Sequence, residues 1–314
     1  FPVAVTESEF RKGEALFRAA SEFACFPAPA AETALAAAIR ANGARHAIVG
    51  TDRYTGPLYD ALPRGGVIAR FGVGHDGIDK AQAAARGLFC CNTPDVLNGA
   101  VAEFALGLMI AAARHIASCG AATARGGWQP RIGGEVAGKT LAVIGVGRIG
   151  SRLAAIAKQA LAMRVIGVSP RPPQDRRHLD HWTADFNAAA VEADFVSLHI
   201  PDTPATRDFL NAERLARLRP AAIVINTARG GVLDENALYD AVAAGAIAGA
   251  ALDVFKTEPY APQSGDRDLR TLDRVLMTPH IGSSTAEACE RVARRTLHNL
   301  ALAEAGRTDE MDRL

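Results

Sequence analysis

The chain has 314 residues, of which 49% are hydrophobic and 22% are charged, and 35 Lys and Arg residues balance 34 Asp and Glu residues. This length fits two domains of common size, and the composition is that of an ordinary globular protein rather than a disordered one. The net charge of +1 and the lack of a basic run disfavour a nucleic-acid partner. No apolar stretch reaches the roughly 20 residues that span a bilayer, and the chain does not open with a signal peptide pattern, so we expect no membrane partner.

The cysteines show no metal-ligand spacing, and the sequence therefore predicts no metal site. There are five of them: Cys25, Cys90, Cys91, Cys119 and Cys289. An odd number of cysteines in a chain of this size indicates reduced thiols, most simply small buried side chains, so we expect a cytoplasmic protein.

The first hundred residues alternate short apolar runs with alanine-rich amphipathic segments. Strands are predicted at FPVAV, HAIVG, GVIARFG and GLFCC, and helices near Ser8–Ala20, Glu32–Asn42 and Ile78–Arg86. This alternation is typical of βαβ units, which form a parallel sheet with helices on both faces. One long helix is predicted from Leu97 to Ala117 as a connector between domains.

A second series of βα units begins at KTLAVIGVGRIGSRLAAIAKQ, which predicts a strand, a glycine turn and a helix. Five more strands are predicted at MRVIGVS, ADFVSLHIP, AAIVINTARGG, AIAGAALDV and RVLMTPHIG, with helices at Ala212–Leu218 and Glu235–Ala244 among them. The segment STAEACERVARRTLHNLALAEAG predicts a terminal helix that returns to the first domain. We therefore expect two doubly wound parallel-sheet α/β domains, the second inserted in the first.

Gly145, Gly147 and Gly150 form a G-x-G-x-x-G turn between a predicted strand and a predicted helix. The first glycine permits the tight turn, the second lets the backbone approach a pyrophosphate, and the third lets the helix pack closely on the strand. The free N–H groups at the helix N-terminus favour phosphate. Glycine is common in this chain, so the motif alone is weak, but its context favours dinucleotide binding over a structural turn.

The next strand lacks the acidic residue that usually binds the ribose of NAD. It ends in Ser169, which is followed by Pro170 and Arg171. A serine does not repel a 2′-phosphate and can donate to it, and the arginine can add a charge-assisted bond. These two residues predict that NADP is preferred and NAD is possible. The alternative is a stiff surface turn over residues 170–173 with a solvated arginine.

Three polar residues, Arg229, Glu258 and His280, follow the carboxyl ends of predicted strands, where open α/β sheets bind ligands. Arginine suits a carboxylate, and a histidine beside a glutamate is the usual acid–base couple, because the carboxylate fixes the tautomer and favours the charged ring. Taken singly, Glu258 and His280 are more often structural, and Arg229 is as often a solvated surface residue. Together, after a dinucleotide-binding turn, they predict an active site.

The segments GVGRIG, LHIPDTPATRDFLN, INTARGGVLDENAL, GAALDVFKTEP and TPHIGSST resemble, in order and spacing, the D-isomer-specific 2-hydroxyacid dehydrogenases. That family includes phosphoglycerate dehydrogenases and glyoxylate/hydroxypyruvate reductases. The resemblance implies a flavodoxin-like substrate domain over residues 1–97 and 285–314, a Rossmann cofactor domain over residues 98–284, and an active site between them. It also implies a homodimer, for which the apolar helix Val101–Ile110 is suited, and no regulatory domain after residue 314.

The resemblance further implies roles for single residues. Arg229, Glu258 and His280 would be the catalytic residues, with His280 giving a proton to the carbonyl oxygen of a 2-oxo acid while hydride reaches C2. Cofactor contacts beyond the glycine turn would come from Arg148, Ile149, Pro201, Thr206, Thr227, Ala228 and Asp253. The substrate carboxylate would meet Arg229 and the backbone amides of Val73 and Gly74.

The substrate and the class of activity stay open at this point. The segment NTPDVLNGAVAE favours glyoxylate or hydroxypyruvate, whereas Arg70 favours phosphoglycerate dehydrogenases, in which an arginine of this segment meets phosphate. Corepressors called C-terminal-binding proteins resemble the same family, so a dinucleotide-sensing binding protein is the alternative to an enzyme. A formate-oxidising relative is disfavoured because that branch has glutamine where this chain has Glu258.

Overall fold

The computed structural model describes residues 1–314, which divide into two compact units, Phe1–Leu97 with Ser284–Leu314 and Asn98–Ser283. The first unit begins with nine helices and strands: β1 (Pro2–Thr6), α1 (Glu7–Ala19), β2 (Ala24–Ala28), α2 (Glu32–Asn42), β3 (His46–Val49), α3 (Pro57–Ala61), β4 (Val67–Arg70), α4 (Lys80–Ala85) and β5 (Phe89–Cys91). Its strands are all parallel in the order β2-β1-β3-β4-β5, which is the flavodoxin order.

The second unit contains thirteen helices and strands: α5 (Asn98–Ala113), α6 (Ile116–Ala124), β6 (Thr140–Ile144), α7 (Arg148–Leu161), β7 (Arg164–Val168), β8 (His181–Thr183), α8 (Phe186–Ala190), β9 (Phe195–Leu198), α9 (Ala212–Leu215), β10 (Ile223–Asn226), α10 (Glu235–Ala243), β11 (Gly249–Leu252) and β12 (Val275–Met277). Its parallel sheet has the order β12-β11-β10-β9-β6-β7-β8. Counted from β6, this is the Rossmann order with one more strand at an edge. The final helix α11 (Ala286–Glu304) belongs to the first unit, where it packs against α1 and β4.

Both sheets are covered by helices on their two faces, which explains the unbroken apolar strands. All four residues of β3 and all four of β11 are buried, because neither face of a doubly wound sheet meets water. The two parallel sheets confirm the predicted fold class. Two edge strands, β2 and β8, were not predicted, since both are short and partly exposed and β2 contains Pro27.

The prediction of one helix from Leu97 to Ala117 is wrong. The helix breaks into α5 and α6, which are bent by 66°, and His115 at the break has a left-handed φ of 54°. Neither helix alone is long and apolar enough to cross a membrane; only the bent pair counted together reaches that length and composition. Ala102 and Met109 of α5 are buried in the core of their own unit, whereas Phe104, Leu106 and Ile110 are only partly buried. The dimer stays a prediction.

Candidate active site

Five neighbouring strands of the second unit end in register at one edge of the sheet. Their last paired residues are Ile144, Leu198, Asn226, Leu252 and Met277. The segments that follow these strands carry the glycine turn, Arg229, Glu258 and His280. The predicted site residues of this unit therefore follow strand ends on the ligand-binding edge of a doubly wound sheet.

The glycine turn has the geometry that a dinucleotide requires. Gly145 has a φ of 96°, and a Cβ at this position would lie 2.6 Å from the carbonyl oxygen of His199. A Cβ at Gly150 would overlap the carbonyl oxygen of Gly145, so the protein itself demands glycine at both positions. Gly147 differs, because no atom lies within 4 Å of the position that a Cβ would take. It is the N-cap residue of α7. Open space before free amides at a helix N-terminus fits a pyrophosphate.

Two residues of this helix start, Arg148 and Ile149, were predicted to contact the cofactor. They are the first two residues of α7; Arg148 is exposed and Ile149 is half-buried. Both therefore stand beside the open space at Gly147, where a dinucleotide phosphate would be held.

Glu258 and His280 are in direct contact. The Nδ1 atom of His280 lies 2.7 Å from the Oε2 atom of Glu258, and about 30% of each side chain is exposed. Burial raises the pKa of Glu258, but the hydrogen bond and charge of His280, the Phe255 amide and the Arg229 guanidinium together hold it below its usual value. Glu258 is thus a carboxylate at neutral pH, and Arg229 lies within its electrostatic reach.

Asp253 shapes the loop that carries His280. It is 1% exposed, and its carboxylate accepts hydrogen bonds from the Thr278 hydroxyl at 2.6 Å and from the amides of Ile281 and Gly282 at 2.8 Å each. Its carbonyl oxygen also accepts the His280 amide at 2.9 Å. The Asp253 carboxylate can accept about four hydrogen bonds, and it accepts three within the chain, which leaves one position for the predicted nicotinamide contact.

The turn that carries Arg229 is fixed by a residue that the sequence did not single out. Asn226, which is fully buried, accepts the Ala228 amide at 3.0 Å and donates to the Arg229 carbonyl at 2.9 Å. The hydroxyl of Thr227 is buried and has no hydrogen-bond partner. A buried hydroxyl without a partner at this edge fits a polar group of a bound cofactor.

Pro201 and Thr206 form one local turn. The Thr206 hydroxyl donates to the Pro201 carbonyl at 2.5 Å and accepts the Thr203 amide at 2.9 Å, so its contacts hold the turn after β9. His199 stands at the start of this turn. Its Nε2 atom is 2.8 Å from the Ser197 hydroxyl, and burial lowers its pKa to about 4, so the ring is neutral.

The end of β7 differs in one detail from the prediction. The Ser169 hydroxyl donates to the Arg171 carbonyl at 2.7 Å and accepts from the Trp182 indole at 3.0 Å, so in this conformation it does not donate to a phosphate. Arg171 is exposed, and a second cation, Arg176, lies with its guanidinium carbon 5.5 Å from the Trp182 ring centre. The sequence missed Arg176 and Trp182 because their proximity to Ser169 depends on the unpredicted edge strand β8.

The first unit carries the predicted substrate residues on the segment after β4. The amides of Val73 and Gly74 donate no backbone–backbone hydrogen bond, and their contact with a substrate carboxylate stays a prediction. Arg70 is only 9% exposed, and its guanidinium donates to the carbonyl of the adjacent Phe71. The same guanidinium acts on Asp52, whose pKa is nevertheless raised by burial and by Glu9.

The chain is similar to several known proteins. Residues 106–282 match the profile of a family described as D-isomer specific 2-hydroxyacid dehydrogenase, NAD binding domain. The chain is 44% identical over 230 residues to a hydroxypyruvate reductase of Thermotoga maritima, covering 72% of this chain and 73% of that protein. It is 40% identical over 260 residues to a glyoxylate reductase of Thermococcus litoralis, covering 80% and 77%.

Two further matches bear on substrate and cofactor. A D-3-phosphoglycerate dehydrogenase of Synechocystis is 43% identical over 72% of this chain, but the match spans only 41% of that protein. The solved NADPH-dependent glyoxylate/hydroxypyruvate reductase of Sinorhizobium meliloti, in complex with NADP and malonate, has a TM-score of 0.80 and 27% identity over 96% of this chain and 92% of that one.

The fold and the site define an oxidoreductase that uses a nicotinamide dinucleotide and acts on a CH–OH group. The profile match covers more than half of the chain. The sequence identity of 44% to the reductase of Thermotoga maritima indicates common ancestry and not only a similar fold. The chain belongs to the D-isomer-specific 2-hydroxyacid dehydrogenase family, which confirms the predicted family and enzyme class.

Proposed function

We propose that the protein reduces small 2-oxo acids, such as glyoxylate and hydroxypyruvate, to 2-hydroxy acids of the D series, with NADPH as the preferred reductant. The observation that carries this proposal is the 2.7 Å contact between His280 and Glu258 at the ligand edge of the sheet, with Arg229 in reach of the same carboxylate. It is supported by relatives that are named hydroxypyruvate reductase and glyoxylate reductase.

Each of the three side chains has one task in this proposal. The Nδ1 atom of His280 is bonded to Glu258, so the Nε2 atom remains to give its proton to the carbonyl oxygen of the substrate. Glu258 fixes that tautomer and favours the imidazolium. Arg229 binds the substrate carboxylate and orients C2. The bound nicotinamide supplies the hydride.

Arg70 bears on the choice between unphosphorylated and phosphorylated substrates. Its guanidinium is largely buried and bonded to the Phe71 carbonyl, and its charge also acts on Asp52. An arginine held in this way is a poor receptor for a phosphate, which needs accessible donors. The arrangement favours small unphosphorylated 2-oxo acids over the substrate of a phosphoglycerate dehydrogenase.

A panel of 2-oxo acids tests the proposal. With NADPH and NADH in turn, we expect oxidation of the cofactor by glyoxylate and hydroxypyruvate, measured by nicotinamide absorbance, and much lower kcat/KM for phosphohydroxypyruvate. Absence of turnover with glyoxylate, hydroxypyruvate, pyruvate and phosphohydroxypyruvate would remove the proposed function. A preference for phosphohydroxypyruvate would keep the enzyme class and change the substrate.

Glu258→Gln is expected to move the alkaline limb of the reduction to lower pH. Reduction needs the imidazolium of His280, and the neutral amide no longer attracts that charge, so the ring loses its proton earlier as pH rises. The measurement is kcat as a function of pH at saturating substrate, with Glu287→Gln, an exposed glutamate at the start of α11, as the matched control. An unchanged profile would show that Glu258 has no part in the proton transfer.

A further inference from the structure

Glu235 is a buried carboxyl group to which no part of the mechanism has been assigned. It is 3% exposed and begins α10, directly after the N-cap residue Asp234. Its Oε1 atom accepts the Lys256 amide at 2.6 Å, and its Oε2 atom is buried without a hydrogen-bond partner. Burial of a carboxyl group costs free energy unless hydrogen bonds compensate for the lost water. Here the compensating hydrogen bond comes from the loop that also carries Glu258.

Two adjacent amides of one loop are held by two different carboxyl groups. The Phe255 amide donates to the Oε1 atom of Glu258 at 3.0 Å, and the next amide, that of Lys256, donates to Glu235. The other oxygen of Glu258 meets His280 at 2.7 Å. The orientation of the Phe255 amide, and with it one of the two anchors of Glu258, therefore depends on how the adjoining peptide is held.

The turn that follows Arg229 packs on the same peptide. A Cβ at Gly230 would overlap the carbonyl carbon of Phe255 and the nitrogen of Lys256, so the backbones are in close contact. The Phe255–Lys256 peptide thus touches the turn after Arg229 and donates a hydrogen bond to Glu235. The preceding peptide donates its amide, that of Phe255, to Glu258.

The hydrogen bond between Glu235 and this loop does not require that Glu235 be charged. Burial raises the pKa of Glu235, and the Lys256 amide and side chain oppose that rise, while Asp234 and Asp208 add to it. The Lys256 ammonium lies 2.6 Å from Asp208, so it is engaged elsewhere. A carboxyl oxygen accepts an amide whether or not the group is ionised, so Glu235 acts here as an acceptor rather than as a charge.

We infer that Glu235 is a positioning residue for the acid–base couple: it fixes the Phe255–Lys256 peptide and thereby sets Glu258 against His280. This inference rests on the proposed role of Glu258. Removal of the acceptor leaves the half-buried Lys256 amide without its partner, and we expect the peptide to turn toward another acceptor. Glu258 then loses one anchor, and its contact with His280 loosens.

A comparison of three variants tests this inference. Glu235→Ala removes the acceptor, whereas Glu235→Gln keeps a carbonyl oxygen at the same place. We expect Glu235→Ala to lower kcat about tenfold, because the couple is displaced rather than removed, and to move the alkaline limb of kcat to lower pH, as Glu258→Gln does. Glu235→Gln is expected to keep the unmodified protein's profile. In the double variant Glu235→Ala with Glu258→Gln, the limb should move no further than in Glu258→Gln alone.

A control separates positioning from loss of stability. Asp185→Ala removes the N-cap of α8, where the Asp185 side chain accepts the Asn187 amide at 2.9 Å, and is expected to lower the melting temperature without moving the pH limb. Should Glu235→Ala fail to fold, Glu235→Asp, which withdraws the carboxyl group by one methylene, is expected to show a smaller displacement in the same direction.

The outcomes distinguish this inference from the proposed function. If Glu258→Gln moves the limb and neither Glu235→Ala nor Glu235→Asp does, the positioning role is overturned and the proposed function stands. If Glu235→Gln also moves the alkaline limb to lower pH, the charge of Glu235 matters, and the acceptor role is overturned. If Glu258→Gln leaves the limb unchanged, the role of Glu258 fails and this inference fails with it.

Discussion

Replacement of His280 is expected to lower kcat roughly a hundred- to ten-thousandfold, the range that a lost general acid contributes, while cofactor affinity stays nearly unchanged. In the proposed reaction the ring acts on the substrate, whereas the glycine turn and α7 would hold the cofactor. The measurements are kcat with a 2-oxo acid and the dissociation constant of NADPH from quenching of protein fluorescence.

The replacement has to respect the backbone. His280 has a left-handed φ of 53°, a conformation that strains alanine and that asparagine adopts more readily. His280→Asn and His280→Ala should lose activity to a similar degree, and His280→Asn should keep more of the melting temperature. The loop itself is fixed by Asp253 through Thr278, Ile281 and Gly282, so it persists without the imidazole.

His298→Ala, which removes an exposed histidine of α11, is the matched control and should behave as the unmodified protein does. Retention of more than about a tenth of the activity in both His280 variants would assign the proton to another group.

The second large effect concerns the choice between NADPH and NADH. Arg171 is expected to favour the 2′-phosphate by about ten- to a hundredfold in affinity, which is the value of one charge-assisted hydrogen bond. Arg176, placed beside Trp182, adds positive charge at the same strand end. We therefore expect a higher kcat/KM with NADPH in the unmodified protein.

Ser169→Asp combined with Arg171→Ala should reverse that preference. An aspartate at the end of β7 accepts the ribose hydroxyls of NADH and repels a 2′-phosphate. The serine contributes through its lack of negative charge rather than through donation, because its hydroxyl is directed to the Arg171 carbonyl.

Arg177→Ala is the matched control for the cofactor variant. Arg177 is a neighbouring arginine whose guanidinium is already paired with Asp175 at 2.7 Å, and its removal should leave the preference in place. The measurement is the ratio of kcat/KM for the two reduced cofactors in each variant. Equal or better kcat/KM with NADH in the unmodified protein would refute the preference.

The residues whose positions in the fold could be predicted are those that are fixed by local order along the chain. A glycine turn stands between its strand and helix, and Arg229, Glu258 and His280 each stand just after an apolar strand, so hydrophobic patterning alone placed them at one edge. The contact between Glu258 and His280 then follows from the parallel order of β11 and β12.

Other features depend on spacing in three dimensions that no local pattern encodes. Glu235 and Lys256 are 21 residues apart and meet only because α10 and the loop after β11 pack together. Trp182 reaches Ser169 across 13 residues through an edge strand that is too short and exposed to be recognised. No glycine or proline marks the break at His115, so the apolar pattern predicted one continuous helix.

In the proposed reaction, hydride reaches C2 of a 2-oxo acid on one face only, while His280 protonates the carbonyl oxygen. Reduction of hydroxypyruvate or pyruvate by NADPH that carries deuterium in place of both hydrogens at nicotinamide C4 tests this directly, since both products are chiral, whereas glycolate is not. Chiral chromatography with mass spectrometry should find the D-hydroxy acid alone, with one deuterium at C2, and almost none of it with His280→Asn. An L or racemic product, or a D product without deuterium at C2, would contradict the account.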